Sequence, residues 1–368
     1  MKRIVVCCDG TWNRPGVTED GKLVQTNVEI MYKCVEPVDD NGIRQVKFYE
    51  TGVGSSTYNK FDQIFGGLKG FGIDKKIMDI YSFVVMNYEL GDELYLFGFS
   101  RGAYTARSVA GLIRNCGVLK APNIHLVDLA YSHYRDRNSY TLPESDYMSS
   151  FRRQYCHEDI TPIKFIGVWD TVGSLGLPLR FLSKYNAEKY KFHDCTLSSH
   201  VRFAYHAIAI DEHRKLFLPT LWQLSKNSDP NKQTVEQVWF PGAHSNVGGG
   251  YKNTELSDIA FEWMARKAAD TGLSLKIPAE NFNPKSEGTL IESRSSFYKL
   301  WPPARRPIYR IGKEKLPLSS PYEYDFVTNE DIHDSALDRY NVVKEYKPKN
   351  LKEAIEKYKL PLHKRETA

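Results

Sequence analysis

Short apolar runs, each stopped by glycine or a polar turn, punctuate the chain. Arg3 to Cys8 is nearly all apolar and ends at Asp9-Gly10, the pattern of a strand buried on both faces that feeds a loop. Gln45 to Glu50 reads as a second strand, ending at Thr51-Gly52-Val53-Gly54. Glycines closing two strands suggest backbone that lies near a ligand. Ile73 to Leu90 carries Ile77, Ile80, Tyr81, Val84 and Val85 along one helical stripe, and Gly91-Asp92 stops it before a strand over Glu93 to Phe97. A second helix follows at once, with Ala103, Ala106, Ala110 and Ile113 near helical spacing. Further strands are expected over Ile163 to Trp169, Ala204 to Ile210 and Val235 to Phe240, with helices near Ile124 to Arg135 and Leu256 to Ala269.

Strands alternating with helices predict an α/β fold of the α/β-hydrolase type: a mostly parallel central sheet with helices on both faces, whose ligands bind at the carboxyl ends of the strands. From Gly272 onward the text changes, with Pro278, Pro284, Pro302-Pro303, Pro307 and Pro317 and few apolar runs. The expected division is a catalytic core over residues 1–271 and an irregular C-terminal extension over 272–368 that packs on the core or caps the site, closing with a short helix over Leu351 to Tyr358.

Composition changes this picture little. A chain of 368 residues with 41% hydrophobic and 26% charged residues can bury a full core, which excludes intrinsic disorder. A net charge of +5 does not imply nucleic-acid binding. Arg305-Arg306 and Lys364-Arg365 gather charge locally and read as solvated surface, with transient contact to an anionic membrane surface as the alternative. The six cysteines show no CxxC spacing, so neither a disulfide framework nor a zinc site is expected, and no cofactor is implied. No apolar run is long enough to span a membrane, and the first residues enter a strand without the pattern of a signal peptide. A cytoplasmic protein is expected, exported, if at all, by a route that needs no cleaved signal.

The chemistry centres on Gly98-Phe99-Ser100-Arg101-Gly102, a G-x-S-x-G match set between a strand and an Ala-rich helix. There the glycines let strand and helix approach while the serine takes a strained backbone. The amide of Arg101, at the start of the helix, is a candidate oxyanion donor. A serine hydroxyl needs a histidine to take its proton and a carboxylate to orient that histidine. His244, on the glycine-flanked stretch Pro241 to Tyr251 after a strand, is the best placed base. Two carboxylates compete for the third role: Asp170, preferred, and Asp211, each ending an apolar strand. The loop Asp9-Gly10-Thr11-Trp12-Asn13 offers Gly10 or Thr11 as a second oxyanion donor. Asp9 is a candidate cation contact, and Trp12 a candidate wall for an apolar substrate.

Together and in this order, Asp9 to Asn13, Thr51 to Gly54, Gly98 to Ala103, Val168 to Ser174, His206 to Arg214, Phe240 to Tyr251 and, more faintly, Ile332 to Tyr346 with Lys347-Pro348 resemble the DUF2235 family of α/β-hydrolases. That family includes phospholipase effectors of bacterial type VI secretion. The resemblance implies a Ser-Asp-His esterase, with phospholipase A activity the best-known case, and places Ser100 as nucleophile, Asp170 as acid and His244 as base. It also implies an inhibitory or immunity protein as partner should the chain be an effector. Asn246, a candidate contact to substrate or cation, stands where family members usually carry Asp, so the side chain offered there is an amide in place of a carboxylate. The reaction expected is cleavage of a carboxylic ester through an acyl-enzyme, with a lipid ester as substrate. The alternatives are a non-lipid ester or thioester, or a catalytically inactive binding protein on the same fold.

Overall fold

The computed structural model describes residues 1–10, 13, 15–52, 72–136, 138–172, 197–224, 229, 231–279, 282–294, 299, 302–308 and 328–362. The chain opens with strand β1 (Arg3–Cys8), a small hairpin of β2 (Thr18–Glu19) and β3 (Lys22–Leu23), and helix α1 (Asn27–Cys34). Thr26 caps α1 by accepting the amide of Glu29, three residues on, as a threonine at a helix start is built to do. β4 (Gln45–Glu50), α2 (Ile73–Asn87), β5 (Glu93–Phe99) and α3 (Arg101–Cys116) follow. A 3-10 turn over Ala121–Leu126 then leads to α4 (Val127–Arg135) and α5 (Asp146–Tyr155). β6 (Ile163–Trp169), β7 (Val201–Ala209), β8 (Thr234–Phe240), the short α6 (His244–Gly248) and α7 (Glu255–Asp270) complete the expected core.

Among the described residues the central sheet has seven strands in the order β4-β1-β5-β6-β7-β8-β9, and every neighbouring pair is parallel. The last strand, β9 (Glu330–Ile332), comes from the C-terminal extension and pairs with β8. The extension was expected to pack on or cap the core, but it also adds an edge strand to the main sheet. After it come α8 (Asp334–Val342) and α9 (Lys349–Tyr358).

Side-chain alternation along the strands divides the core in two. Ile4, Val6 and Cys8 of β1, with Leu94 and Leu96 of β5, face α2, α3 and α4. Val5, Cys7, Tyr95, Phe97 and Phe99 face α1 and α7, meeting Met31, Phe261 and Met264. A third cluster joins Ile208 and Trp239 to Ile332, Leu337, Leu351 and Ile355, which fastens the extension to the sheet's far edge. Because the strands are parallel, all carboxyl ends open on one rim. The residues just past β1, β5, β6, β7 and β8 therefore meet there, although their sequence positions run from 9 to 244. Among the described residues no helix is long and apolar enough to cross a membrane.

Candidate active site

Strand β5 passes into α3 through Ser100, whose φ of 58° and ψ of −123° are unusual for any residue but glycine. Its amide donates to Trp169 O at 3.1 Å, so the sheet's pairing runs through the bend. The flanking glycines are steric requirements. A Cβ on Gly98 would sit 2.5 Å from Ala103 Cα, and one on Gly102 would sit 2.2 Å from Cys8 O. Strand and helix thus cross at backbone contact, with the serine at the corner.

Ser100 Oγ lies 2.8 Å from His244 Nε2, and His244 Nδ1 lies 2.5 Å from Asp170 Oδ2. All three are buried, Ser100 at 7% exposed, His244 at 5% and Asp170 at 0%. The histidine opens α6, and its ring lies between Phe99 and Phe217, with ring centroids 4.6 Å and 5.0 Å away. Burial lowers its proton affinity, while Asp170 acts in the opposite direction, so the ring is neutral and able to accept a proton near pH 7. The neutral ring that fits both contacts carries its hydrogen on Nδ1, facing Asp170, and leaves Nε2 as acceptor.

Asp170, at φ 39°, is one of the few non-glycine residues with positive φ. Its Oδ1 accepts the Ala209 amide at 3.0 Å and Arg306 Nη1 at 2.6 Å, while Oδ2 accepts Arg306 Nη2 at 3.0 Å. Burial works to raise its proton affinity, but Arg306 and His244 together hold the carboxyl well below the usual carboxylate range. The basic pair read as solvated surface is therefore corrected at Arg306, which is 1% exposed. Arg305 is exposed and meets Glu353 at 2.9 Å. Lys364-Arg365 lies outside the described residues.

Asp211, the alternative acid, does not meet His244. Its Oδ2 accepts the Gly242 amide at 2.7 Å and the Tyr346 hydroxyl at 2.8 Å, bracing the loop on which the histidine rides. The neighbouring Glu212 carries a role that sequence reasoning missed. Fully buried, it accepts the His244 amide at 3.3 Å and Ser293 Oγ at 2.9 Å, and pairs with Arg214 at 2.8 Å. His206 was also missed as an individual residue. Its Nε2 accepts the Thr171 amide at 3.1 Å and its Nδ1 faces Gln237 Oε1 at 3.3 Å, which steadies the backbone beside Asp170. Burial pushes its pKa down to about 3 and keeps it neutral. Asn27, at the start of α1, holds the far side of the histidine loop by donating to Val247 O at 2.9 Å.

Gly10 lies against the serine: a Cβ there would be 3.2 Å from Ser100 Cβ. As an oxyanion donor, however, Gly10 needs correction, since its amide donates to Asp9 Oδ1 at 2.6 Å. Asp9 Oδ2 accepts Thr26 Oγ1 at 2.6 Å and the Tyr49 hydroxyl, so this carboxyl splints its own loop and the cap of α1. Burial raises its pKa to about 6. Thr11 and Trp12 lie outside the described residues. Arg101 is the first residue of α3, where amides have no acceptor one turn back within the helix. Asn246 is buried and faces the extension: its Oδ1 accepts the amides of Ala243 at 3.3 Å and Ile291 at 3.2 Å, and its Nδ2 donates to Thr289 O at 3.3 Å. The substrate or cation contact considered for it gives way to a structural role. Among the described residues no group of three or more His, Cys, Asp or Glu side chains is placed to hold a metal ion.

A family model described as the catalytic domain of Tle1-like phospholipase effectors of the type VI secretion system matches residues 2–267. An uncharacterized protein of Saccharomyces cerevisiae is 28% identical over 234 residues, covering 59% of this chain and 32% of its own length. A crystal structure of an uncharacterized Pseudomonas aeruginosa protein aligns with a TM-score of 0.44 and 19% identity, over 75% of this chain and 47% of that one. The Tle1 effector bound to the VgrG spike of the type VI secretion system aligns with a TM-score of 0.34 and 19% identity, over 68% of this chain and 51% of that one. The chain thus spans about a third of the curated relative and about half of each solved neighbour.

Proposed function

The chain belongs to the family of Tle1-like phospholipase effector catalytic domains, and from that premise we propose that it hydrolyses carboxylic esters of lipids through an acyl-enzyme on Ser100. The observation that carries this reading is the unbroken line from Ser100 Oγ through His244 to Asp170, at 2.8 Å and 2.5 Å, on one rim of a parallel sheet.

In the proposed reaction His244 Nε2 takes the Ser100 hydroxyl proton as Oγ bonds to the ester carbonyl carbon. The carbonyl π pair moves onto oxygen, and the Arg101 amide stabilises that charge. Collapse of the tetrahedral species breaks the bond to the alcohol oxygen, which receives the proton from His244. A water molecule repeats the sequence on the acyl-enzyme: His244 accepts its proton and returns it to Ser100 Oγ as the fatty acid leaves. Asp170 stays ionised throughout and stabilises the imidazolium formed in each half.

The arranged groups support ester-bond hydrolysis, and family membership supports the lipid substrate. One experiment addresses both. Phospholipid vesicles and water-soluble p-nitrophenyl esters are each incubated with the wild type and with Ser100→Ala, and a fluorophosphonate probe is applied in parallel. The expected result is phospholipid turnover that falls on the order of 10⁴-fold or more in the variant, with the probe attached to Ser100 only in the wild type. Equal turnover by Ser100→Ala removes the mechanism. Activity confined to the soluble esters removes the lipid assignment and leaves the mechanism.

A further inference from the structure

Arg306 stands 136 positions downstream of the carboxylate it meets and outside the stretch matched by the family model. A buried guanidinium is tolerated where its charge and most of its donors are answered, and at Arg306 only Nε is buried without a hydrogen-bond partner. Here Nη1 donates to Asp170 Oδ1 at 2.6 Å and Ala209 O at 2.8 Å, and Nη2 donates to Asp170 Oδ2 at 3.0 Å and to Phe217 O. One planar fork engages both carboxylate oxygens, which fixes the plane of the carboxylate as a single ammonium would not. Oδ2 is also the oxygen that meets His244 Nδ1, so the fork decides where the imidazole points.

The strap carrying Arg306 is itself pinned. The Ala304 amide donates to His213 O at 2.8 Å. Asn350 Nδ2, on α9, donates to Arg306 O at 3.0 Å and Ile210 O at 3.1 Å. The last helix therefore holds the strap, the strap holds the arginine, and the arginine holds the carboxylate.

We propose that Arg306 is a positioning residue of the hydrolytic site, fixing Asp170 so that Asp170 orients His244, and that the C-terminal segment is in consequence part of the catalytic unit. The proposal rests on the roles given above to Ser100, His244 and Asp170. Arg306 acts through Asp170 and has no contact with the ester.

The charged and titratable groups around the Asp170–His244 pair come from three elements: Arg306 on the strap, Glu212 and Arg214 after β7, and His206 within β7. Glu212 and Arg214 answer one another, and His206 is neutral. Removing the Arg306 charge thus raises the proton affinity of the coupled pair and moves the acid limb of its reactivity to higher pH.

The test is the rate at which a fluorophosphonate labels Ser100 in the full chain between pH 5 and 9, for the wild type, Arg306→Gln and Arg306→Lys, normalised to folded protein by near-ultraviolet circular dichroism. Arg306→Gln is expected to lower the plateau rate tenfold or more and to shift the acid limb upward. Arg306→Lys keeps the charge but not the fork, so its limb stays near the wild-type pH while its plateau falls several-fold. A merely structural role would change the folded fraction without moving the limb. Arg306→Gln labelled with the wild-type plateau and limb overturns the proposal. Should that variant not fold, Arg306→Lys decides, and a wild-type plateau there overturns it equally. Failure of the underlying reading is separately visible, because the wild type would then not be labelled at Ser100.

Discussion

Gly102 and Gly111 lie on the same helix, α3, and alanine is expected to be tolerated at Gly111 but not at Gly102. In a helix interior the exchange favours folding by up to about 1 kcal/mol through backbone entropy alone. At Gly111 the new methyl would come 2.9 Å from the Tyr134 hydroxyl and 3.0 Å from its ring, the far end of a side chain able to give by a few tenths of an ångström. At Gly102 it would come 2.2 Å from Cys8 O and 2.4 Å from Asp9 O, both backbone atoms at the end of a strand paired on both sides. Restoring ordinary contact there moves α3 from β1 by roughly 1 Å, and overpacking against fixed backbone costs about 3 kcal/mol or more. With an unfolding entropy of about 2.1 cal/mol/K per residue over 368 residues, that cost lowers Tm by about 4 °C. The same displacement separates Ser100 from the groups it works with, and a 1 Å misplacement lowers reaction rates about 10²-fold. Scanning calorimetry and fluorophosphonate labelling check both effects. Gly111→Ala is expected within about 1 °C of the wild type and labelled normally, and Gly102→Ala to fail on both counts. Gly102→Ala melting and labelling with the wild type would refute the idea that the helix–strand contact sets the serine's position.

The two carboxylates past β6 and β7 separate by mutation. Asp170→Asn is expected to slow Ser100 labelling by about 10³- to 10⁴-fold by imposing the wrong imidazole tautomer. Asp211→Asn leaves labelling within several-fold and lowers Tm, since the Gly242 amide and Tyr346 hydroxyl lose a charged acceptor. The reverse pattern would exchange their roles. Asp9 gives the pH prediction: its carboxyl, raised by burial from 3.8 to about 6, binds a proton more tightly folded than unfolded. Stability from this group is therefore greatest at acid pH and falls as pH rises through about 4 to 6, by at most about 3 kcal/mol. The difference in Tm between Asp9→Asn and the wild type should move in favour of the variant between pH 4 and pH 7, and a difference that stays constant contradicts it.

The parallel strands were legible because burial on both faces writes them as continuous apolar runs. Ile163–Trp169 is observed with the bounds its sequence implies, and β1 and β4 likewise. Helix α1 was missed although Thr26 and Glu29 carry the spacing of a helix start, because eight residues hold too few turns for periodicity to stand out. Helix α5 carried a comparable signal in Ser145, which accepts the Met148 amide. β9 had no local signal at all: Glu-Asp-Ile reads as loop, and only the open edge of β8 makes it a strand.

The candidate site divides along the same line. Ser100 and His244 stand in patterns that their neighbours explain, glycines for backbone approach and a strand for delivery to the rim. Asp170 and Asp211 looked alike because both end apolar strands. They differ in direction: the φ of 39° at Asp170 turns its carboxylate toward the imidazole, whereas Asp211 faces Gly242 and Tyr346. Arg306 was misread for a deeper reason. A cation advertises nothing about its partner, and local text cannot distinguish solvated charge from charge neutralised by a carboxylate 136 positions away. Its setting becomes meaningful only with the tertiary links around it: Tyr346 to Asp211, Asn350 to Ile210, and Asn246 to Ile291. Each joins a loop at the strand ends to the segment after residue 272. The change of texture at Gly272 marks where, among the described residues, regular secondary structure thins out, and the hydrogen bonds that set the site's geometry run across it.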